Sequence, residues 1–326
     1  MITTLAILAV SNAAVTVTPG KSIPGARALA LAASPTGSRF AATLEDGSVR
    51  IFDAATRMTI KDLGKHPQPA YAIAWSADGA WIATGDESAR IYLWDTRTWK
   101  KIREFRTHTR GIQALSFNFP RTLLLSTGKD DVCKVYNLST GKESSYPGKG
   151  ANFYGAKFIS KMNDFAMADL GVGGRVYGSN GAVKSFFAGH GGQGAMNIAI
   201  NKAGTRAVTA GKDATAIVWD MKGPKKLNSL KGHGDWILNC EFSPNGKLVA
   251  TGSSDRSVRV WDVATFQRIS TLDNQSSVGS PVCFTADGKF LVTVNLDDVI
   301  QINSVAPAQS ATPEPKAKTT KRKKRG

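Results

Sequence analysis

The stretch from Gly232 to Asp262, GHGDWILNCEFSPNGKLVATGSSDRSVRVWD, decides the fold of this chain. It contains three short runs with the composition and alternation of β-strands, namely Ile237 to Phe242, Leu248 to Thr251 and Ser257 to Trp261. Turn-forming residues separate these runs, Ser-Pro-Asn-Gly after the first and Ser-Ser-Asp-Arg after the second. The stretch therefore predicts three short strands joined by tight turns.

The same pattern recurs along the chain with an almost constant period. Aligned on the last two residues, the repeats end at Phe52-Asp53, Trp94-Asp95, Tyr136-Asn137, Tyr177-Gly178, Trp219-Asp220, Trp261-Asp262 and Ile302-Asn303. The second residues of successive pairs lie 42, 42, 41, 42, 42 and 41 positions apart. Seven repeats in phase predict one closed repeat architecture rather than the two domains that the length alone would suggest.

A repeat of about 40–45 residues that opens with Gly-His and closes with Trp-Asp resembles the WD40 repeat. The resemblance covers almost the whole chain and is strongest in repeats 2, 3, 5 and 6. It is weakest in repeat 4, where Gly178 replaces the Asp and Lys149-Gly150 stands in place of Gly-His. It implies an all-β fold, a seven-bladed WD40-type β-propeller in which each blade is a four-stranded antiparallel sheet.

The propeller is predicted over residues 14–305. Its repeats lie near 27–66, 67–107, 108–148, 149–189, 190–232, 233–274 and 275–305. The seventh repeat ends after Asn303 without a fourth strand, and Val15 to Thr18 falls where every other repeat places that outer strand. Strand 15–18 is therefore predicted to close the ring, because pairing the two ends of the chain removes open sheet edges.

The two termini differ from the repeats. Residues 1–13 (MITTLAILAVSNA) resemble a short signal peptide, although no Lys or Arg precedes the apolar run. They favour export, for example to a periplasm, over a cytoplasmic location, and no run reaches the ~20 apolar residues of a transmembrane segment. Residues 306–326 are predicted to be a disordered basic tail. Within it, residues 307–326 carry seven Lys/Arg and one Glu, or +6 of the net charge of +17, which leaves +11 on the propeller.

All four histidines occupy one position of the repeat, and the family has a hydrogen-bonded His–Ser/Thr–Asp–Trp tetrad there. Two complete tetrads match it: His233, Thr251, Asp255, Trp261 and His190, Thr209, Asp213, Trp219. Repeat 3 has His108, Ser126, Asp130 and Tyr136, and repeat 2 has His66, Thr84 and Trp94 with Ser88 at the Asp position. The Ser in repeat 2 predicts a weaker network there.

These groups invite a nucleophilic-triad interpretation, since a His, a hydroxyl and a carboxylate recur together. A structural role is favoured, because the trio repeats at blade spacing and ends on an indole donor, as a satisfied buried network requires. Metal binding is not predicted, because the four histidines lie on different blades, and no cofactor is predicted. The glycine pattern Gly189 to Gly194 fits a dinucleotide motif, but a strand rather than a helix follows it. The three cysteines are expected to be free and mostly buried.

The resemblance implies a rigid platform that binds proteins or peptides and is not an enzyme. Its binding face would be made by the loops before the first strand and between the second and third strands of each blade. In this chain those loops carry Arg110, Lys129, Gln193, Lys212, Asp235, Trp236 and Arg256. The alternative is a basic propeller that binds nucleic acid or another anionic surface, favoured by the +11 on the body, with weak nonspecific polyanion binding through the tail.

Overall fold

The computed structural model describes residues 15–148, 153–159, 163–171 and 173–307 of the chain. The predicted leader (1–13) and residues 308–326 of the predicted tail lie outside the described residues. Within them the chain forms twenty-eight strands and no helix. No described segment is therefore a helix long and apolar enough to span a membrane.

Six blades are continuous in sequence, and in each the four strands pair in chain order as an antiparallel sheet. Blade 1 is β2 (Ser22–Ala33), β3 (Arg39–Leu44), β4 (Ser48–Asp53) and β5 (Thr59–Lys65), and blade 2 is β6 (Ala70–Trp75), β7 (Trp81–Asp86), β8 (Ile91–Asp95) and β9 (Lys100–Phe105). Blade 3 is β10 (Ile112–Phe117), β11 (Leu123–Gly128), β12 (Val132–Asn137) and β13 (Glu143–Pro147), and blade 4 is β14 (Phe153–Phe158), β15 (Phe165–Asp169), β16 (Arg175–Tyr177) and β17 (Val183–Phe186). Blade 5 is β18 (Ala195–Ile200), β19 (Arg206–Gly211), β20 (Ala216–Asp220) and β21 (Lys225–Leu230), and blade 6 is β22 (Ile237–Phe242), β23 (Leu248–Ser253), β24 (Val258–Asp262) and β25 (Arg268–Leu272).

Blade 7 joins the two ends of the chain. It consists of β26 (Cys283–Phe284), β27 (Phe290–Val294), β28 (Val299–Pro307) and the N-terminal strand β1 (Val15–Thr18). β1 pairs antiparallel with β28, from Val15 opposite Pro307 to Thr18 opposite Ser304, and the start of β2 continues along the same strand. This is the closure that the sequence predicts. β28 runs through Ala306 and Pro307, so the sheet extends two residues into the segment assigned to the tail.

The core is divided among the contacts between blades. Seven clusters of buried apolar side chains are found, one for each pair of neighbouring blades, including the pair formed by blades 7 and 1. The first strands of neighbouring blades also contact one another around the whole ring, from β2 to β6 and finally from β26 back to β2. The described residues therefore form a closed seven-bladed β-propeller.

Burial within each blade follows the sequence pattern. The second strand is covered on both faces, as in β23, where all six residues are buried. The fourth strand lies at the rim, and in β9 five of the six residues of Lys-Lys-Ile-Arg-Glu-Phe are exposed. Charged side chains suit this position, because they discourage another sheet from pairing with the exposed edge.

Cys133, Cys240 and Cys283 are free and buried, which confirms the prediction.

Candidate interaction face and the networks beneath it

The tetrads of blades 5 and 6 are continuous hydrogen-bonded chains. In blade 6 the indole of Trp261 donates to the Thr251 hydroxyl at 2.9 Å, that hydroxyl lies 2.8 Å from Nε2 of His233, and Nδ1 lies 2.8 Å from Asp255. In blade 5 the Trp219, Thr209, His190 and Asp213 groups are joined in the same order by contacts of 2.9, 2.7 and 3.0 Å. Each network connects the second and third strands of its blade to the loop that precedes the first strand.

Blade 3 contains the variant with a phenol. His108 lies 2.7 Å from the Ser126 hydroxyl and 2.9 Å from Asp130. The Tyr136 hydroxyl is 3.5 Å from Ser126 and makes a much closer contact with the Thr107 hydroxyl. The Tyr136 phenol therefore brings Thr107, which is not part of the tetrad pattern, into the network.

Blade 2 differs from the sequence analysis. His66 lies 2.7 Å from Thr84, and the Trp94 indole donates to the same hydroxyl at 2.8 Å. The carboxylate comes from Asp86, 3.1 Å from Nδ1 of His66, two residues before the position at which it was sought. Ser88 donates its hydroxyl to Asp86 at 2.9 Å and supports that carboxylate. The weaker network was predicted because Ser88 provides no carboxylate, and Asp86 removes that reason.

Burial favours the neutral form of three of the network histidines. Burial lowers the pKa of His108, His190 and His233, and the hydrogen bond to the adjacent aspartate opposes this only in part. A neutral ring with its proton on Nδ1 donates a hydrogen bond to the carboxylate, and its Nε2 accepts a hydrogen bond from the threonine or serine hydroxyl. That tautomer lets every group in the chain from indole to carboxylate use its donors and acceptors.

Hydrogen bonds favour the ionised form of the Asp255 carboxylate. Burial acts to raise the pKa of Asp255, but hydrogen bonds from the main-chain N–H of Gly234, from Ser257 and from His233 outweigh it and bring the pKa to about 2. The hydroxyls of Thr209 and Thr251 are fully buried and already accept an indole N–H. A substrate carbonyl cannot approach them, whereas the hydroxyl of a nucleophilic triad must be accessible to its substrate.

The residues predicted to form the binding face all lie in loops at one end of the propeller. Arg110, Gln193, Asp235 and Trp236 precede the first strands of blades 3, 5 and 6, whereas Lys129, Lys212 and Arg256 lie between the second and third strands. The structure brings two of them together, because Nζ of Lys212 lies 4.4 Å above the ring of Trp236. The glycine-rich segment ending at Gly194 is a loop followed by strand β18, as the sequence analysis expected.

A second contact of this kind was not predicted. Nζ of Lys129 lies 5.8 Å above the ring of Tyr71, which is 42% exposed. The same ammonium is 2.8 Å from the Glu87 carboxylate of blade 2. A cation over an exposed aromatic ring therefore bridges neighbouring blades at two places, between blades 2 and 3 and between blades 5 and 6.

The sequence analysis also missed a cavity of about 360 Å³ on the propeller axis. The register of the first strand shifts by one residue near its start in blades 1 to 6. The residues at these bulges line the cavity: Leu29, Tyr71, Gln113, Tyr154, Met196 and Leu238. Their spacing of 42, 42, 41, 42 and 42 residues was visible in the sequence, but the bulge that turns them to the axis was not.

No metal-binding geometry is found in the described part of the chain, where no three His, Cys, Asp or Glu side chains converge. The acidic and histidine side chains described above are engaged in the blade networks.

Comparison with known proteins identifies the repeats. A family model described as "WD domain, G-beta repeat" matches residues 18–53, 58–95, 99–137, 181–220 and 224–262, more than half of the chain. The matched segments correspond to repeats 1, 2, 3, 5 and 6, and they omit repeat 7 and repeat 4, the weakest by sequence.

Several curated proteins are similar over part of their length. Nuclear distribution protein PAC1 of Fusarium vanettenii is 26% identical over 179 residues, 54% of this chain and 32% of the relative. The guanine nucleotide-binding protein subunit beta of Zea mays is 21% identical over 214 residues, 60% of this chain and 55% of the relative. Pre-mRNA-processing factor 19 of Schizosaccharomyces pombe is 28% identical over 98 residues, 30% of this chain and 20% of the relative. The chain spans at most about half the length of these relatives. Because the family model matches more than half of its residues, the chain belongs to the WD40 family, the WD domain with G-beta repeats.

Proposed function

We propose that this propeller is a non-catalytic scaffold that binds a protein or peptide on the face carrying Trp236. The observation that supports this most directly is the pair formed by Trp236 and Lys212. The Trp236 ring is 45% exposed although it is large and apolar. Its main-chain carbonyl accepts hydrogen bonds from Ser253 and Ser254, so the ring is displayed from a fixed backbone.

A fixed, exposed tryptophan beside a cation has the properties of an interface anchor. Tryptophan, tyrosine and arginine are enriched among the residues that dominate the binding energy of protein interfaces. Tryptophan buries a large, rigid surface for little loss of side-chain entropy. Lys212 orders the Trp236 ring before any partner arrives, and this preorganisation reduces the entropic cost of binding. The WD40 relatives support interaction scaffolding in general, while the partner of this chain has to be found experimentally.

The proposal is tested by comparing two exposed aromatic residues at opposite ends of the propeller. Phe119 is 59% exposed in the turn between β10 and β11, away from the proposed face. Proteins captured from the source cell by the wild-type chain should be lost with Trp236→Ala and retained with Phe119→Ala, as quantified by mass spectrometry. A photo-cross-linking amino acid at position 236 should label the same partner, and one at position 119 should not. The opposite pattern would reject this face.

The absence of catalysis forms part of the proposal and has its own test. His190→Gln and His233→Gln should lower the melting temperature of the protein and affect no turnover. A hydrolytic or transfer activity that disappears in either variant while circular dichroism remains native would overturn the scaffold proposal.

The nucleic-acid alternative is not supported by the comparisons, and we do not propose it for the body of the propeller. Cations at this end of the molecule are interleaved with acids. Lys129 is paired with Glu87, and Arg27 lies 2.9 Å from Glu45 and 3.6 Å from Asp298. Weak polyanion binding by the tail remains a prediction. If it occurs, deleting residues 307–326 should flatten the dependence of log K on log salt.

A further inference from the structure

The axial cavity contains two opposite charges that do not meet. Lys157 on β14 and Glu241 on β22 both line it. They occupy the same position of the first strand, since Lys157 pairs in register with Ala166 and Glu241 with Ala250, which are 84 residues apart like the two charges themselves. Ala199 holds this position in the intervening blade 5. This alanine carries no polar group that could bridge the two charges.

Neither charged group has an ion-pair partner of the kind that other charged side chains at this end of the propeller have. Among the described residues, no group lies within ion-pair distance of Glu241 or Lys157, and none donates a hydrogen bond to the Glu241 carboxylate. By contrast, Lys129 at the rim of the same cavity contacts both oxygens of Glu87 at 2.8 Å. Burial raises the pKa of Glu241, and the charge of Lys157 opposes this increase. Glu241 is partly exposed to the cavity, so a ligand cation can reach its carboxylate and form the ion pair that the protein does not supply.

We propose that the cavity is a binding site for a small zwitterion of the amino-acid class. The ligand ammonium would pair with the Glu241 carboxylate, and the ligand carboxylate with the Lys157 ammonium. A simple cation would satisfy Glu241 but would add a second positive charge near Lys157, and a simple anion would produce the reverse conflict. A zwitterion satisfies both groups and brings no net charge into the cavity.

The size and lining of the cavity agree with this class of ligand. A volume of about 360 Å³ lies at the small end of the range for small-molecule sites, about 300–1,000 Å³. Leu29, Tyr71, Met196 and Leu238 provide apolar surface for the remainder of the ligand. Amides are also available, because Asn197 and Asn239 line the cavity and are joined by a hydrogen bond of 3.2 Å. Trp236 and Lys212 are not among the lining residues, so this site is independent of the proposed protein-binding face.

The test is calorimetric titration of the full chain with the twenty standard amino acids. At least one, and most readily an apolar one such as L-leucine, should bind with a Kd below about 1 mM. The matched derivatives N-acetyl-L-leucine, which lacks the ammonium, and L-leucinamide, which lacks the carboxylate, should each bind at least about tenfold more weakly. If no amino acid binds below that limit, or if the derivatives bind as tightly as the parent, the proposal fails.

Variants assign the two charges. Glu241→Gln and Lys157→Met should each weaken amino-acid binding at least about tenfold, whereas Lys247→Met and Phe119→Ala, which change exposed residues in the turns between the first and second strands, should leave it unchanged. The exchange of Glu241→Lys together with Lys157→Glu should restore binding, because the ligand can reverse its orientation. Melting curves identify any variant that fails to fold, and the derivative series on the wild-type chain decides the proposal without variants. Equal binding to the wild type and to a folded Glu241→Gln variant would overturn it.

Discussion

Blades 2 and 6 build the same buried network from different positions of the repeat. In blade 6, Ser253 ends the second strand and Asp255 lies in the turn that follows, 2.8 Å from His233. In blade 2, Asp86 ends the second strand, 3.1 Å from His66, and the serine lies in the turn. The aspartate and the serine have exchanged places, yet the carboxylate reaches Nδ1 of the histidine in both blades.

The exchange shows that the geometry of the network matters more than the repeat position. Blades 3 and 5 have glycine where blade 2 has Asp86. A Cβ at Gly128 would lie 2.5 Å from Nδ1 of His108, and one at Gly211 would lie 2.2 Å from Nδ1 of His190. In those two blades the carboxylate from the turn therefore requires a glycine at the end of the strand. When the strand itself supplies the carboxylate, the turn needs only a small donor such as Ser88.

Loss of the indole should have the largest effect and should be equal in the two blades. Trp94→Ala and Trp261→Ala each remove a buried ring and leave a threonine hydroxyl without its donor. We expect each to lower the free energy of unfolding by about 3–5 kcal/mol, measured by urea titration. A clearly smaller loss for Trp94→Ala would mean that the blade 2 network is weaker despite its complete set of hydrogen bonds.

Removal of the carboxylate tests the exchange directly. Asp86→Ala should cost about 2–3 kcal/mol, because the buried Nδ1 of His66 loses its acceptor. The double substitution Asp86→Ser with Ser88→Asp transfers the arrangement of blade 6 into blade 2. We expect it to recover at least half of that loss in the same titrations. A double variant no more stable than Asp86→Ala would show that the two arrangements are not interchangeable.

Asp86 also marks the limit of prediction from sequence. The strands, the turns and the closing strand follow from a period of 41–42 residues, and His66, Thr84 and Trp94 from the same alignment. Asp86 was missed because alignment assigns roles by position, whereas a side chain two residues away can reach the same atom from the strand. The same holds for the axial cavity. Nothing in the alternation of the first strand indicates the bulge that directs Tyr71 or Met196 toward the axis.

The pH dependence of stability should report the buried histidines. Burial lowers the pKa of His233 below the value of about 6.5 that an unfolded histidine has. The unfolded chain therefore binds more protons than the folded chain below pH ~6.5, and stability falls as the pH decreases through this range. The melting temperature should be highest above pH 7 and drop by pH 5, and His233→Gln should reduce the drop. A melting temperature that rises on acidification would contradict the neutral assignment.

The smallest expected difference concerns the two serines that support the carboxylates. Ser257 is buried and donates to Asp255 at 2.7 Å, while Ser88 is exposed and donates to Asp86 at 2.9 Å. Ser257→Ala should cost about 1–2 kcal/mol, since water cannot readily replace the lost donor. Ser88→Ala should cost less than about 1 kcal/mol, because water reaches this site and the main-chain N–H groups of Ser88 and Arg90 still donate to Asp86. Urea titrations of the two variants can resolve this order. A larger loss for Ser88→Ala would mean that the blade 2 network depends on its turn residue at least as strongly as the blade 6 network does. The position of Asp86 on the strand would then not be sufficient to hold its carboxylate against His66.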